Sequence, residues 1–215
     1  MSSGTHKWTI IRRAVSITGQ VTDALTGAPI AGALVEIAQG PPEFQAMLAT
    51  LASDPGWDRR PERLDRRPCR ADGRYAFVGL PVGDYDLRAS APLLGSRYGA
   101  ATLSKVHVYP ATERLPNGRI KLDPADAALS PTRVRGTVRR GGPDAPIARA
   151  RVRLVGDTNV TLTNDLGEYL LVGLVAGAPT LEVSAKAFVT AYNPITLSAG
   201  LEVTLNVVLA SAPGP

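Results

Sequence analysis

Hydrophobic and polar positions alternate with a period of two in short runs along the whole chain. In residues 134–138 the apolar or small positions are 134, 136 and 138, while Arg133, Arg135 and Arg139 fall on the other side. In residues 148–154, Ala150, Val152 and Leu154 take one face and Arg149, Arg151 and Arg153 the other. Such alternation predicts strands with one buried face, because successive side chains of an extended chain point to opposite sides. Turn signals separate the runs. Asp72-Gly73 predicts a two-residue type I′ hairpin turn, whose central positions both take positive φ, and Asn164-Asp165-Leu166-Gly167 a longer version of it. Leu80-Pro81-Val82-Gly83 and Leu174-Val175-Ala176-Gly177 precede strands expected over 85–89 and 180–185. One stretch, residues 40–53, breaks the pattern: Phe44, Met47, Leu48 and Leu51 stand at i, i+3, i+4 and i+7, the spacing of one helical face. Pro42 suits the first turn, Glu43 the positive end, and Asp54-Pro55-Gly56 stops the helix.

The runs repeat. Ile17-Thr-Gly-Gln-Val21 and Ala28-Pro-Ile-Ala-Gly-Ala-Leu-Val-Glu-Ile37 recur, at an offset of 117, as Val134-Arg-Gly-Thr-Val138 and Ala145-Pro-Ile-Ala-Arg-Ala-Arg-Val-Arg-Leu154. Asp72-Gly-Arg-Tyr-Ala-Phe-Val-Gly-Leu80 recurs at an offset of 94 as Leu166-Gly-Glu-Tyr-Leu-Leu-Val-Gly-Leu174. Two copies of one unit therefore follow each other, and the first carries 23 additional residues between its second strand and its Asp-Gly turn. The copies end in strands expected over 120–129 and 201–209. Six or seven short strands per copy, with frequent turns, predict a β-sandwich. The link Leu129-Ser-Pro-Thr-Arg133 is too short for a flexible tether, and Pro131 stiffens it further.

The motif order Gly19, Val21, Pro29 to Ala33, Val35, then Asp72, Gly73, Tyr75, Phe77, Leu80, Pro81, Gly83, Tyr85 and Leu87 resembles the carboxypeptidase regulatory-like domain. The second copy diverges more, with Leu171 for the Phe, Val175 for the Pro and Pro179 for the Tyr. The resemblance implies an all-β chain of two tandem Greek-key-type, prealbumin-like (transthyretin-like) β-sandwiches. The first would span 1–130, with a helical and Arg-rich insert at 40–68, and the second 131–215. Members of that family serve mostly as accessory modules; their peptidase chemistry resides in a separate domain. Similar sandwiches decorate bacterial surfaces, phage-tail-like particles and contractile injection particles.

Composition narrows the function classes. Apolar residues are 44% and charged residues 20%, which argues for a packed core. The single cysteine, Cys69, excludes an internal disulfide framework and is expected to be an inert strand residue. No apolar run is long enough to span a membrane. The first residues lack the apolar core of a secretory signal, so the expected location is the cytoplasm or a particle assembled there. Net charge is +5, with twenty arginines and four lysines. Six of those arginines crowd residues 57–70 beside Asp58, Glu62 and Asp65; the interleaved acids argue for internal pairing and against nucleic acid.

No chemistry assembles from the sequence. The C-terminal Tyr-Arg-Gly-Ser of transthyretin-like hydrolases is absent, and the two histidines, His6 in the N-terminal stretch and His107 in a strand of the first copy, are not expected to form the iron site of intradiol dioxygenases, which takes two Tyr and two His. There is no nucleophile elbow, Walker loop or dinucleotide fingerprint. Asp72, Asn164 and Asp165 read as turn formers rather than calcium ligands. The expectation is a non-enzymatic structural or protein-interaction module without metal or cofactor, part of a larger assembly. The alternatives are a carbohydrate-binding module using Trp8, Trp57, Tyr98 or Tyr109, and a hydrolase built around His107. Candidate partner-binding residues are Phe44, Met47, Leu48, Leu51, Trp57, Arg59, Arg60 and Arg63. The competing reading of the helix is that its apolar face caps an open end of the first sandwich.

Overall fold

The computed structural model describes residues 14–59, 63–142 and 145–213, the side chain of Asp58 excepted. The first alternating run forms β1 (Val15–Asp23), in which Ile17, Val21 and Asp23 turn inward and Thr18, Gln20 and Thr22 stay half-exposed. β2 (Leu34–Gln39), α1 (Pro42–Ala52), β3 (Arg66–Pro68), β4 (Arg74–Val78), β5 (Gly83–Ser90), β6 (Ala101–Val108) and β7 (Ala127–Leu129) follow. They make two sheets, β4-β1-β7 and β3-β2-β5-β6. The second copy contributes β8 (Arg133–Arg140), β9 (Arg151–Leu154), β10 (Val160–Leu162), β11 (Glu168–Val172), β12 (Thr180–Ser184), β13 (Ala191–Pro194), β14 (Glu202–Thr204) and β15 (Val207–Leu209). Its sheets are β10-β9-β12-β13 and β11-β8-β14, with β15 also on β8.

The topologies correspond strand for strand. In each copy the closing strand runs parallel to the opening one, pairing Val21 with Ala127 and Val138 with Val207. The fold is all-β, with the single α-helix of the described residues inserted after β2. Two apolar clusters fill the sandwiches, one around Ile17, Val35, Phe77, Tyr85 and Leu87, the other around Val134, Val152, Leu171, Leu181 and Leu209. Each such side chain removed from water contributes roughly 1.5–3 kcal/mol.

The repeated Gly and Tyr of the motif act together. Gly19 pairs with Tyr75 across β1 and β4, and Gly136 with Tyr169 across β8 and β11. A Cβ on Gly19 would lie 2.0 Å from the Ala125 carbonyl oxygen, and one on Gly136 would lie 1.8 Å from that of Leu205. Only glycine lets the closing strand come so near. The same carbonyls accept hydrogen bonds from the Tyr75 and Tyr169 hydroxyls, the latter at 2.8 Å. Tyr and Gly thus clamp one carbonyl of the closing strand in each sandwich.

Four local expectations are corrected. The Asp72-Gly73 turn is not type I′: Gly73 has φ +72° and Asp72 does not share the positive region. Arg70 accepts the Gly73 N–H and donates its own to Arg74, which makes a three-residue loop with one left-handed glycine. Asn164, Gly167 and Glu168 repeat the same bonds, so the second turn is equal in length to the first. The closing strand of the first copy is short, Ala127–Leu129, because residues 114 and 120 pair across a separate hairpin. Arg149 precedes β9 with φ +57°, so the outward arginine row on that strand holds only Arg151 and Arg153.

Candidate functional site

The insert presents its apolar face inward. Phe44 is fully buried against Tyr85, ring centroids 5.4 Å apart and edge to face, and Met47 and Leu48 pack on the same core. Leu51 is half-buried. Phe44 also touches Gly40, where a Cβ would come within 2.9 Å of its ring. Pro41 precedes the helix in extended conformation and Pro42 opens it, at a position whose N–H has no intrahelical partner.

The Arg-rich stretch folds back on itself. Trp57 is 6% exposed, and the Arg63 guanidinium lies 5.0 Å from its ring centroid. Arg63 Nε also donates to Asp65 Oδ1 at 2.9 Å, and both side chains are largely covered. Arg59 is exposed, and Arg60 lies outside the described residues, as do Glu62, His6 and Trp8. Phe44 is therefore taken up by the core of the first sandwich, whereas Trp57 is buried beside the Arg63 guanidinium. Of the four rings considered for sugar stacking, Trp57 is buried while Tyr98 and Tyr109 are half-buried. Cys69 is buried, and burial pushes its thiol up to about 11, with nearby Asp72 adding to the effect.

His107 was the one residue around which a hydrolytic site could form. Its Nδ1 lies 2.6 Å from Asp84 Oδ1, and its ring packs on Tyr109 at 4.6 Å. Tyr109 donates to Asp123 Oδ2 at 2.9 Å, and that bond holds its phenol above the ordinary range. Lys121 sits 4.0 Å from the Tyr109 ring centroid and 2.8 Å from Glu113 Oε1. These groups pair with one another on an open surface. Among the described residues no three His, Cys, Asp or Glu side chains group as metal ligands. Asp72 and Asn164 accept backbone N–H groups of their own turns. No described helix is long and apolar enough to cross a membrane.

The sequence marks the link between the copies as short and stiff, but not the contacts that lock it. Residues 96–99 and 130–132 pair as a short antiparallel ladder: Gly99 N–H donates to Ser130 O at 3.0 Å and Thr132 N–H to Arg97 O at 2.8 Å. Thr132 is fully buried; its hydroxyl donates to Ser96 O and accepts the Gly200 N–H, each at 2.8 Å. Ala176 N–H donates to the Ser96 hydroxyl at 2.9 Å, and the Arg97 guanidinium reaches Gly173 O. Tyr98 donates to Asp23 Oδ2 at 2.7 Å, tying the ladder to the end of β1. Burial alone would raise the Asp23 carboxyl; hydrogen bonds from Tyr98, Thr26 and Leu25 outweigh it and hold the group below the usual range.

Two open clefts flank this junction. One, about 690 Å³, runs over the outer face of β8 and β11, with Leu25, Leu162 and Leu170 beside Arg133 and Arg135, which both grip Glu202 at 2.7 Å. The other, about 610 Å³, lies at the end of the second sandwich and is walled on one side by Arg97.

Residues 133–210 match the family model of the carboxypeptidase regulatory-like domain. The matched copy is the one without the insert, although it departs further from the motif. No curated protein matches the chain in sequence. Among solved structures, the chain is similar to the shaft pilin of Lactobacillus rhamnosus GG, at 9% identity and a TM-score of 0.41 over 94% of this chain and 100% of the pilin. It is similar to the minor pilin of Streptococcus agalactiae, at 15% identity and 0.32 over 93% and 98%. A chain of a type II cohesin–X-dockerin complex from Acetivibrio cellulolyticus matches at 17% identity and 0.33 over 37% of this chain. The match spans 58% of that chain's length.

Proposed function

We propose that the chain is a non-enzymatic structural and interaction module that serves as an accessory subunit of a larger protein assembly. The observation that carries this reading is the junction. A loose pair of sandwiches would need no buried threonine spanning residues 96 and 200 and no ladder onto the linker, whereas a spacer that sets the distance between two binding surfaces does. The regulatory-like match of the second copy supports it, since that domain type works beside other domains. The titratable clusters on the surface are paired among themselves, as His107 is with Asp84.

The test is sedimentation of the tagged chain from its native host against that of the purified chain. Migration of the native chain with a heavier particle is expected, and fractionation of the particle distinguishes a cell-surface complex from an injection-type one. Migration of both samples as the same small species would overturn the reading.

A further inference from the structure

The two copies differ most at one end. In the first, Tyr85 and Phe44 close the end of the core, and Pro41 stands over Gly83, where a Cβ would come 3.0 Å from its ring. The offsets of 117 and 94 place Asp157 where the first copy has Gly40, Val175 for Pro81, Gly177 for Gly83 and Pro179 for Tyr85. The second copy has no insert and no aromatic at these positions. Its corresponding end is the 610 Å³ cleft, which reaches down to the core residue Leu154 and leaves Val155 and Val175 about half exposed. The seat that Phe44 fills in the first sandwich is open in the second.

We propose that this cleft is a docking seat for an amphipathic helical segment of a partner protein, led by an acidic residue and an aromatic, in the manner that Glu43 and Phe44 lead α1. Three observations commit the occupant. The equivalent seat in the same chain holds such a segment. The cleft is continuous with the junction, since Arg97 and Ala176 belong to both. Its wall also offers an acidic lead a specific partner: the Arg97 guanidinium keeps N–H donors beyond the one given to Gly173, and the cleft's carboxylate, Asp157, accepts the Asn159 N–H of its own turn. An aromatic anchor in an apolar seat with a charged rim is the arrangement of a binding hot spot. The proposal rests on the interaction-module reading and names its partner chemistry.

The probe is a fluorescent synthetic peptide of residues 40–53, titrated into the full-length chain. Saturable binding with a Kd on the order of 100 μM is expected for so short a segment. Phe44→Ala in the peptide and Val175→Asp or Ala178→Trp in the protein should each weaken it about tenfold, an aromatic anchor's worth of roughly 1.4 kcal/mol. Both protein positions are exposed, so neither variant disturbs the core, and both leave the first sandwich's own seat untouched. Absence of saturation, or binding indifferent to both protein variants, overturns the seat. Concentration-dependent self-association that Val175→Asp abolishes would assign the cleft to a second copy instead and overturn the proposed occupant. If the seat fails while the chain still sediments with its native particle, only this inference falls; if the particle is absent too, the interaction reading falls with it.

Discussion

Thr132→Val isolates the junction, because valine keeps the shape of threonine and loses only the hydroxyl. That hydroxyl makes two bonds of 2.8 Å, to the carbonyl of Ser96 and from the N–H of Gly200, and the side chain is fully enclosed. An orphaned buried donor or acceptor costs about 1–3 kcal/mol. Ser96 and Gly200 are half-buried, so water relieves part of that, and the expected loss is about 2 kcal/mol rather than the sum of two full penalties. Thr132→Ser keeps both bonds and gives up one methyl, about 1 kcal/mol. Two measurements read the outcome: urea unfolding for stability, and nitrogen-15 relaxation for tumbling. The wild type should tumble as one body. Thr132→Val should lose stability and let the two sandwiches reorient separately, while Thr132→Ser keeps common tumbling. A Thr132→Val protein within about 0.5 kcal/mol of wild type and still tumbling as one body would refute the claim that the hydroxyl locks the junction.

Three further outcomes are expected. Phe44→Ala should cost the first sandwich about 3–5 kcal/mol in urea unfolding, the range for emptying a buried aromatic site, and an effect under about 1 kcal/mol would show that α1 does not cap it. Asp23 sits below its ordinary range when folded, so its contribution is fully present above the unfolded value of about 4 and fades as pH falls through the lowered folded one. Asp23→Ala should therefore destabilise at pH 7 and lose its effect toward pH 2, which a thermal-melt series against pH would show. Gly136→Ala places a methyl 1.8 Å from the Leu205 carbonyl and should detach β14 from β8, read as lost amide-exchange protection over residues 133–140 and 202–209, with Thr204→Ala as the mild control.

The repeat was legible because both copies need the same inward positions and the same Gly and Tyr around the closing strand. The helix face was legible because Phe44, Met47, Leu48 and Leu51 alone satisfy a period of 3.6 amid strands. Its direction was not, since an apolar stripe reads the same whether it meets a core or a partner. Turn type escaped because Asp-Gly serves both the I′ turn and the three-residue loop, and only the bond from Arg70 to Arg74 separates them. The arginine row failed at Arg149, where a backbone reversal replaced the extended chain that alternation assumes. The stiffness of the link was legible in its length and in Pro131, but the contacts that lock the junction were not. Thr132, Ser96 and Gly200 meet from three distant points of the chain, and none stands out by composition.

Because each closing strand lies parallel on the opening one, the order in which the protein is made sets the order in which it can fold. Val21 must wait for Ala127, 106 positions later, whereas Val138 waits only 69 positions for Val207. At roughly 5–20 residues per second the first sandwich stays open on the ribosome for about 5 to 20 seconds. The 23-residue insert lengthens that wait, yet adds only a few tenths of a kcal/mol to the entropy of closing the loop. Once β7 has docked, residues 130–132 are the next to emerge, directly opposite the waiting edge at 96–99. The finished first sandwich can therefore act as the template on which β8 is laid down, sparing the second copy part of its own nucleation.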